Sequence, residues 1–329
     1  MLKVKLSSSS NIKELFAQTP GSKGIYGNCE FVFGDDVKEC DYWVVLYELS
    51  KNESALCPPE NTVFITGEPI TVKKYNQKFL RQFASVVTSQ ELLKHPHVIH
   101  THHILPWFVQ KTYDELNSME LQEKSKLISV VSSNKRFSKG HEQRYQFALA
   151  LKNYFGDKID LYGRGIHDFD NKWDVIAPYN YTIAIENFNS KDYITEKLAD
   201  CYLSYTFPFY YGCTNLCDYY PKGSYEYIDI TDIEGSISVI DKVLHDPSHY
   251  QLHFDKICEA RRRYLHEYQV FPNIANIVDS LECEDKTEPK ELILKSAGKS
   301  VSDYWFKVRC LQSIVKNKIE NIYQPFFLR

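Results

Sequence analysis

The chain has 329 residues, 43% of them hydrophobic and 25% charged, which is the composition of an ordinary globular protein long enough for two domains. A net charge of −4 gives no electrostatic argument for a nucleic-acid partner, and no nucleic-acid-binding motif is present. No run approaches the roughly 18 apolar residues of a membrane span, and the first residues lack the apolar core of a signal peptide.

Residues 1–125 alternate short apolar runs with segments of helix length, which is the pattern of a parallel α/β layer. The predicted strands are Leu2–Leu6, Glu30–Phe33, Tyr42–Leu46, Thr62–Thr66, Ser85–Thr88 and one that begins at Val98. The polar stretch Lys111–Lys126 is predicted to connect this first domain to a second one.

Residues 126–282 repeat the alternation and predict a second α/β domain. The predicted strands are Leu127–Val131, Ile159–Tyr162, Tyr181–Ile185 and Tyr225–Ile230. The predicted helices are His141–Tyr154, Thr195–Tyr205, Ile233–His245 and Tyr250–Tyr268. Two successive layers of this kind predict two Rossmann-like domains with a cleft between them.

Residues 283–329 are predicted to be a linker and a tail. The charged segment Cys283–Lys290 contains Pro289 and is typical of a linker. Apolar residues then recur every three or four positions, as in an amphipathic helix: Tyr304, Val308, Leu311, Val315, Ile319 and Ile322. Basic residues outnumber acidic ones in this tail. We favour a helix that packs on the body of the protein, and the alternative is peripheral contact with the anionic inner face of a membrane.

The most informative segment follows the predicted strand Tyr181–Ile185. The strand ends at Glu186 and Asn187, and a short loop then leads into a helix that opens with Thr195-Glu196-Lys197. Polar residues between a strand and a helix N-terminus are where α/β proteins bind phosphate-bearing ligands.

This segment resembles the signature of the α-1,3-fucosyltransferases, glycosyltransferase family ten. The matching residues are Glu186-Asn187, then Tyr193-x-Thr195-Glu196-Lys197, then Pro208-x-Tyr210-x-Gly212. The resemblance implies the GT-B architecture, with an acceptor-binding domain at 1–125 and a GDP-fucose-binding domain at 126–282. It also implies transfer of L-fucose from GDP-fucose, with inversion, to a glycan hydroxyl, usually the 3-OH of N-acetylglucosamine in a lactosamine-type acceptor.

Glu68 is the candidate general base. It follows the strand Thr62–Thr66 within Thr66-Gly67-Glu68-Pro69, where Gly67 and Pro69 predict a tight turn. A carboxylate at the end of a buried strand points into a cleft, and burial there raises its pKa toward neutrality. The turn is similar to the family motif whose glutamate is the proposed base, and a solvated loop acid is the alternative.

Two cations are candidates for binding the diphosphate. Lys197 lies in the first turn of its helix, where free N–H groups also attract anions. Arg144 resembles the family arginine on the first helix of the donor domain. The neighbouring cations Lys135, Arg136 and Lys139 are alternatives for that second role.

The resemblance implies further donor contacts. Glu196 would accept hydrogen bonds from the ribose diol, and Tyr193 and Asn187 would contact the phosphates or ribose. Glu186 would face the fucose ring, and Gly163 belongs to a turn that is similar to the family's nucleotide loop. The loop Phe188–Asp192 departs from the more glycine-rich loop of familiar members, which leaves GDP-mannose as an alternative donor. A non-catalytic protein that binds nucleotide sugars or glycans is the alternative from another class.

We expect no metal site and no required cofactor. Asp168-Phe169-Asp170 matches a metal-binding motif of other sugar transferases but lies in a polar segment, so we predict a loop. The histidines within His95–His103 have no nearby carboxylate or cysteine, and we expect them at the surface or in the acceptor cleft. Cys213 and Cys217 have no second pair at zinc spacing. Nine cysteines without an export signal favour reduced thiols and a cytoplasmic location.

Overall fold

The computed structural model describes residues 1–9, 12–34, 36–132, 139–281 and 287–297. The predicted C-terminal helix and the first half of the predicted linker lie outside these ranges. No helix in the described part of the chain is both long and apolar enough to cross a membrane.

The N-terminal half forms the first parallel sheet. This half contains the strands β1 (Leu2–Ser8), β2 (Ile25–Tyr26), β3 (Cys29–Phe33), β4 (Tyr42–Leu46), β5 (Glu53–Cys57), β6 (Thr62–Ile65), β7 (Ser85–Thr88) and β8 (Val98–His100). All of them except β5 join one sheet in the order β2-β3-β1-β4-β6-β7-β8, and only the β2–β3 pair is antiparallel. The short helix α1 (Gln77–Leu80) packs on this sheet. A second short helix, α2 (Tyr113–Ser118), buries Tyr113 and Leu116 in the core of the second half.

Both faces of this sheet are covered, which explains why its central strands are continuous apolar runs rather than alternating ones. Every residue of β4 is buried. Val44 packs into a core on one face, while Trp43 and Val45 pack into a core on the other. The strands predicted from these runs are confirmed within a residue or two at their ends.

The second half forms a five-stranded, wholly parallel sheet in the order β10-β9-β11-β12-β13. Its strands are β9 (Lys126–Val131), β10 (Ile159–Tyr162), β11 (Tyr179–Ile185), β12 (Phe207–Tyr211) and β13 (Glu226–Tyr227). The helices of this half are α3 (Lys139–Phe155), α4 (Glu196–Leu203), α5 (Ile233–Leu244) and α6 (His249–Arg263). The predicted strand Tyr225–Ile230 is shortened to β13, and the predicted helix Tyr250–Tyr268 ends in a π-helical turn from Tyr264 to Tyr268.

The chain then returns to the first sheet, which differs from the prediction that residues up to 282 belong to the second domain. Helix α7 (Val270–Leu281), absent from the predicted elements, packs its apolar face into the first core. Strand β14 (Lys290–Leu294), placed in the predicted tail, pairs antiparallel with β5. Sequence periodicity reports that a face is apolar but not which sheet covers it, so this return could not be predicted.

The fold places the carboxyl ends of both sheets at one cleft. Glu68 follows β6 of the first sheet, and Glu186 follows β11 of the second. In open parallel sheets, ligands bind outside the carboxyl ends of the strands. The architecture therefore locates the candidate site between the two sheets.

The packing of α7 can be tested at Phe271. Its fully buried ring lies edge-on to the rings of Phe16 and Phe31, which belong to the first unit, the N-terminal half with its sheet. We expect Phe271→Ala to lower the free energy of unfolding by about 3–5 kcal/mol, since it leaves a cavity in this core. Chemical denaturation would measure the loss. Leu252→Ala, at a side chain 72% exposed, is the matched control and should change stability by less than about 0.5 kcal/mol. Equal effects would mean that α7 is not part of the core.

Candidate active site

The turn that carries Glu68 is shaped by close packing. A Cβ on Gly67 would lie 2.6 Å from the Tyr47 ring, so only glycine fits there. Tyr47 has a positive φ of 67°, and its hydroxyl donates to the Ile104 carbonyl at 2.7 Å. The Gln90 side chain donates to the Glu68 carbonyl at 2.7 Å. Contacts on both sides therefore hold the turn in place.

The Glu68 carboxylate is exposed to solvent at the edge of the cleft. The protein around the cleft nevertheless desolvates it and raises its pKa above the ordinary glutamate value, against the opposing charges of Lys197 and Lys73. Glu196 adds to the rise. Because Lys197 and Glu196 belong to α4, Glu68 faces the second unit across the cleft.

The segment before α4 is organised by a buried carboxylate. Glu186 is 1% exposed and accepts hydrogen bonds from the Thr195 amide at 2.8 Å and the Thr195 hydroxyl at 2.6 Å. Lys197 Nζ lies 3.3 Å from the same carboxylate. A Cβ on Gly212 would lie 2.4 Å from Glu186 Cγ, so the glycine leaves the space that this side chain occupies. With both oxygens engaged, Glu186 fixes the start of α4.

Arg144 reaches the other end of the same segment. The guanidinium of this buried residue donates to Asn187 Oδ1 at 2.5 Å. A Cβ on Gly140 would lie 2.4 Å from the Asn187 carbonyl, so a glycine is needed for α3 to approach this closely. The motif residues Glu186 and Asn187 thus bring Lys197 and Arg144 to one place.

Charges of opposite sign stabilise one another at this place. Burial would raise the pKa of Glu196, but Lys197, 3.1 Å away, and Lys172 lower it to about 2. Burial would lower the pKa of Lys197, but Glu196 and Glu186 raise it. Burial lowers the pKa of Arg144, and the charge of Glu186 opposes that shift. At neutral pH Glu196 and Lys197 are therefore ionised, whereas burial raises the pKa of Glu186 and of Asp200.

Lys172 and Asp200 were not identified from the sequence. Lys172 Nζ lies 2.5 Å from the Asp200 carboxylate, which is completely buried, and Asp200 also accepts from the Phe108 amide at 3.1 Å. An acid among apolar residues on one face of α4 is a signal for a buried partner. That partner could not be found, because the two residues are far apart in sequence and meet only through the fold.

Two cavities adjoin these residues. One, of about 170 Å³, is lined by Arg144, Lys172, Glu196, Lys197 and Cys201 among others. A larger one, of about 960 Å³, lies beside Glu68 and is lined by four aromatic side chains together with polar ones. The aromatic residues are Tyr47, Tyr75, Trp107 and Phe108. The small cavity has the charges for a nucleotide diphosphate, and the large one has the size and rings for a glycan.

Other candidates lie elsewhere. Gly163, at the end of edge strand β10, has a φ of 146° and pairs with His167, but it does not line the small cavity. Asp168 accepts from the Gly165 amide at 2.7 Å within a loop, as predicted. Lys135 and Arg136 lie outside the described residues, and of Lys139 only the backbone is described.

The histidine run is divided by its environment. His95, His97 and His100 have partly or fully exposed side chains, whereas His102 and His103 are buried. Within the described ranges, no group of three or more His, Cys, Asp or Glu side chains is placed to hold a metal ion.

The Lys172–Asp200 pair gives a test of the network. Asp200→Asn removes the carboxylate bonded to the largely buried ammonium of Lys172, so we expect a loss of about 3 kcal/mol in the free energy of unfolding. Lys172→Met combined with Asp200→Leu should cost less than the sum of the single changes, by a coupling energy of about 0.5–3 kcal/mol. The exposed pair Arg262–Glu267 is the control, and Glu267→Gln should cost at most about 1 kcal/mol. Additive losses at Lys172 and Asp200 would contradict the coupling.

Known proteins resemble this chain in sequence and in fold. The family model described as glycosyltransferase family 10 (fucosyltransferase) C-term matches residues 121–285. The α-(1,3)-fucosyltransferase FucT of Helicobacter pylori is 27% identical over 94 residues, a segment that spans 28% of this chain and 19% of that relative.

Solved structures extend the likeness in fold to both sheets. The crystal structure of an α1,3-fucosyltransferase with GDP superposes with a TM-score of 0.54 and 17% identity, covering 87% of this chain and 91% of that one. The structure of an α1,3-fucosyltransferase with GDP-fucose gives a TM-score of 0.50 and 16% identity, covering 88% and 93%. The chain therefore belongs to glycosyltransferase family 10 and has the GT-B architecture of two Rossmann-like units around a cleft.

Proposed function

We propose that this chain transfers L-fucose from GDP-fucose, with inversion, to a hydroxyl of a glycan acceptor. The observation that carries the proposal is that Glu68, after β6 of the first sheet, lines one cavity, while Arg144, Glu196 and Lys197 of the second unit line another. The charges of Lys197 and Glu196 reach Glu68. A base on one side and cations on the other are what a single displacement at a nucleotide sugar needs. The family match and the GDP and GDP-fucose complexes of similar folds support the choice of donor.

Arg144 and Lys197 would hold the diphosphate. Both cations line the small cavity, and Lys197 lies at the N-terminus of α4, where backbone N–H groups add positive potential. Glu196 remains ionised and would accept hydrogen bonds from the ribose hydroxyls. Tyr193 and Asn187 would complete the donor contacts. The buried Glu186 would act mainly by holding Thr195 and Lys197, rather than by touching the sugar.

The acceptor would lie in the large cavity beside Glu68. Aromatic rings bury the apolar faces of sugars, and the polar side chains around them can bond sugar hydroxyls. We propose the 3-OH of N-acetylglucosamine in a lactosamine-type glycan as the reacting group. This identification comes from the family resemblance.

The chemistry would be one displacement. The acceptor oxygen forms a bond to the anomeric carbon of fucose while the bond from that carbon to the β-phosphate oxygen breaks. Glu68 takes the proton of the acceptor hydroxyl, and GDP leaves with the electron pair of the broken bond. The acceptor attacks from the face opposite GDP, so the configuration inverts. Arg144 and Lys197 neutralise the charge that develops on the diphosphate. We propose that no metal is required, and that the enzyme acts in the cytoplasm.

The first experiment is a donor and acceptor panel with Glu68→Gln. Purified protein is incubated with GDP-fucose or GDP-mannose and lactosamine-type acceptors, with EDTA present, and GDP release is measured. We expect acceptor-dependent release from GDP-fucose and a drop in kcat of about 10²–10⁴-fold in the variant, the range for loss of a general base. Glu291→Gln, on the exposed edge strand β14, removes a carboxylate outside the cleft and should retain full activity.

Three results would contradict parts of the proposal. Release from GDP-mannose alone would overturn the donor. GDP binding without release from any donor would favour a binding protein, and full activity of Glu68→Gln would exclude Glu68 as the base.

The pH profile gives a second test of Glu68. Its pKa is raised, and the base must be deprotonated to act, so kcat/KM should fall as pH drops through that raised pKa. The midpoint of the acidic limb should lie above the ordinary glutamate value of about 4.3. The residual activity of Glu68→Gln should lack this limb. If the limb persists unchanged in the variant, another group titrates.

A further inference from the structure

His103 lies at the seam between the two sheets. The residue is 4% exposed. Its amide donates to the Asp192 carbonyl at 3.2 Å, and its ring lies edge-on to the Tyr193 ring at 5.1 Å between centroids. On the opposite side, His103 Nδ1 is 2.8 Å from the Ser89 hydroxyl. His103 thus contacts Asp192 with its main chain and Tyr193 with its ring. Its imidazole nitrogen contacts Ser89, which follows β7 of the first sheet.

The Ser89 side leads directly to the turn of Glu68. Thr88, at the end of β7, is hydrogen-bonded through its hydroxyl to the Thr66 hydroxyl at 2.9 Å. Gln90, the residue after Ser89, donates from its side chain to the Glu68 carbonyl at 2.7 Å. Ser89 lies between Thr88 and Gln90, so the hydroxyl that pairs with His103 stands between the two residues that bond the Glu68 turn. The imidazole is therefore bonded to the framework that holds the candidate base.

The Asp192 side is a strained and well-anchored turn. Asp192 has a φ of 59°, which non-glycine residues rarely adopt unless neighbours impose it. Its carboxylate accepts from the Asn215 amide at 2.8 Å and from the Tyr219 hydroxyl at 2.7 Å. Its own amide donates to Asn215 at 2.8 Å. Because this turn is rigid, contact with it defines where Tyr193 stands relative to His103.

We propose that His103 is a positioning residue. It sets the spacing between Glu68 and the part of the proposed donor site that contains Asp192 and Tyr193. This inference rests on the proposed function, because it assigns Glu68 the role of base. In this role His103 acts through its position, with a side chain removed from solvent and Nδ1 paired with the Ser89 hydroxyl. Burial lowers its pKa to about 4, so the ring is neutral at physiological pH.

The adjacent His102 provides a matched control. It is equally buried, at 5% exposed, but its Nε2 pairs with the Asn273 side chain of α7 at 2.8 Å, and its ring packs on Tyr219 and Tyr268. Replacing either imidazole removes buried hydrogen bonds and lowers stability. Only the change at His103 removes a bond to the framework of Glu68.

The test compares His103→Phe, His103→Asn and His102→Phe. Phenylalanine keeps a ring against Tyr193 but loses the bond to Ser89, so we expect kcat to fall about 10²-fold, the effect of a misplacement of about 1 Å. The Kd for GDP, measured by calorimetry, should change less than about twofold. Asparagine places a polar atom near the position of Nδ1, so the kcat of His103→Asn should be at least tenfold higher than that of His103→Phe. His102→Phe should retain kcat within about twofold.

Hydrogen exchange provides a readout that needs no substrate. We expect His103→Phe to increase amide exchange in residues 66–72, and His102→Phe to leave that segment unchanged. Unchanged exchange in His103→Phe, or equal losses of kcat in both phenylalanine variants, would overturn the positioning role. Increased exchange in a protein whose wild type transfers no fucose would instead refute the proposed function and leave the structural link intact.

Discussion

The site depends on an alternation of buried charge around the first turn of α4. Glu186, Lys197, Glu196, Lys172 and Asp200 alternate in sign, and each opposite pair offsets part of the cost of removing its members from water. Without these carboxylates, the cations would repel one another, and burial would lower the pKa values of Lys172 and Lys197 with no opposing charge. The anionic network therefore maintains a cationic pocket before any diphosphate arrives.

Small residues make this concentration of charge sterically feasible. Gly140 lets α3 approach the Asn187 backbone, and Gly212 leaves space for Glu186. A side chain at either position would separate Arg144 from Lys197 or displace the cap of α4. The short distances between the charged groups therefore depend on the two glycines, because a Cβ at position 140 or 212 would clash with Asn187 or Glu186.

The second requirement is a constant distance across the cleft, because the candidate base and the cations come from different sheets. Several contacts fix that distance. The Phe108 amide bonds Asp200, and His103 contacts both Ser89 and Asp192. Helix α7 adds apolar contact by returning the chain to the first core. Two sheets that would otherwise move independently are joined close to the reacting groups, which favours a preorganised geometry.

The sequence by itself determined the local elements and the chemical types at the cleft. Strands such as Tyr42–Leu46 are visible because an apolar run buried on both faces is a local pattern, and Glu68, Glu186, Asn187, Glu196 and Lys197 stand out because they follow strands or open a helix. Only the tertiary structure decided that α7 packs on the first sheet, that β14 pairs with β5, that Glu186 is buried and bonded to Thr195, and that Lys172 meets Asp200. These facts depend on contacts between residues distant in the chain. Neither periodicity nor motif spacing reports such contacts, because both describe the chain only locally.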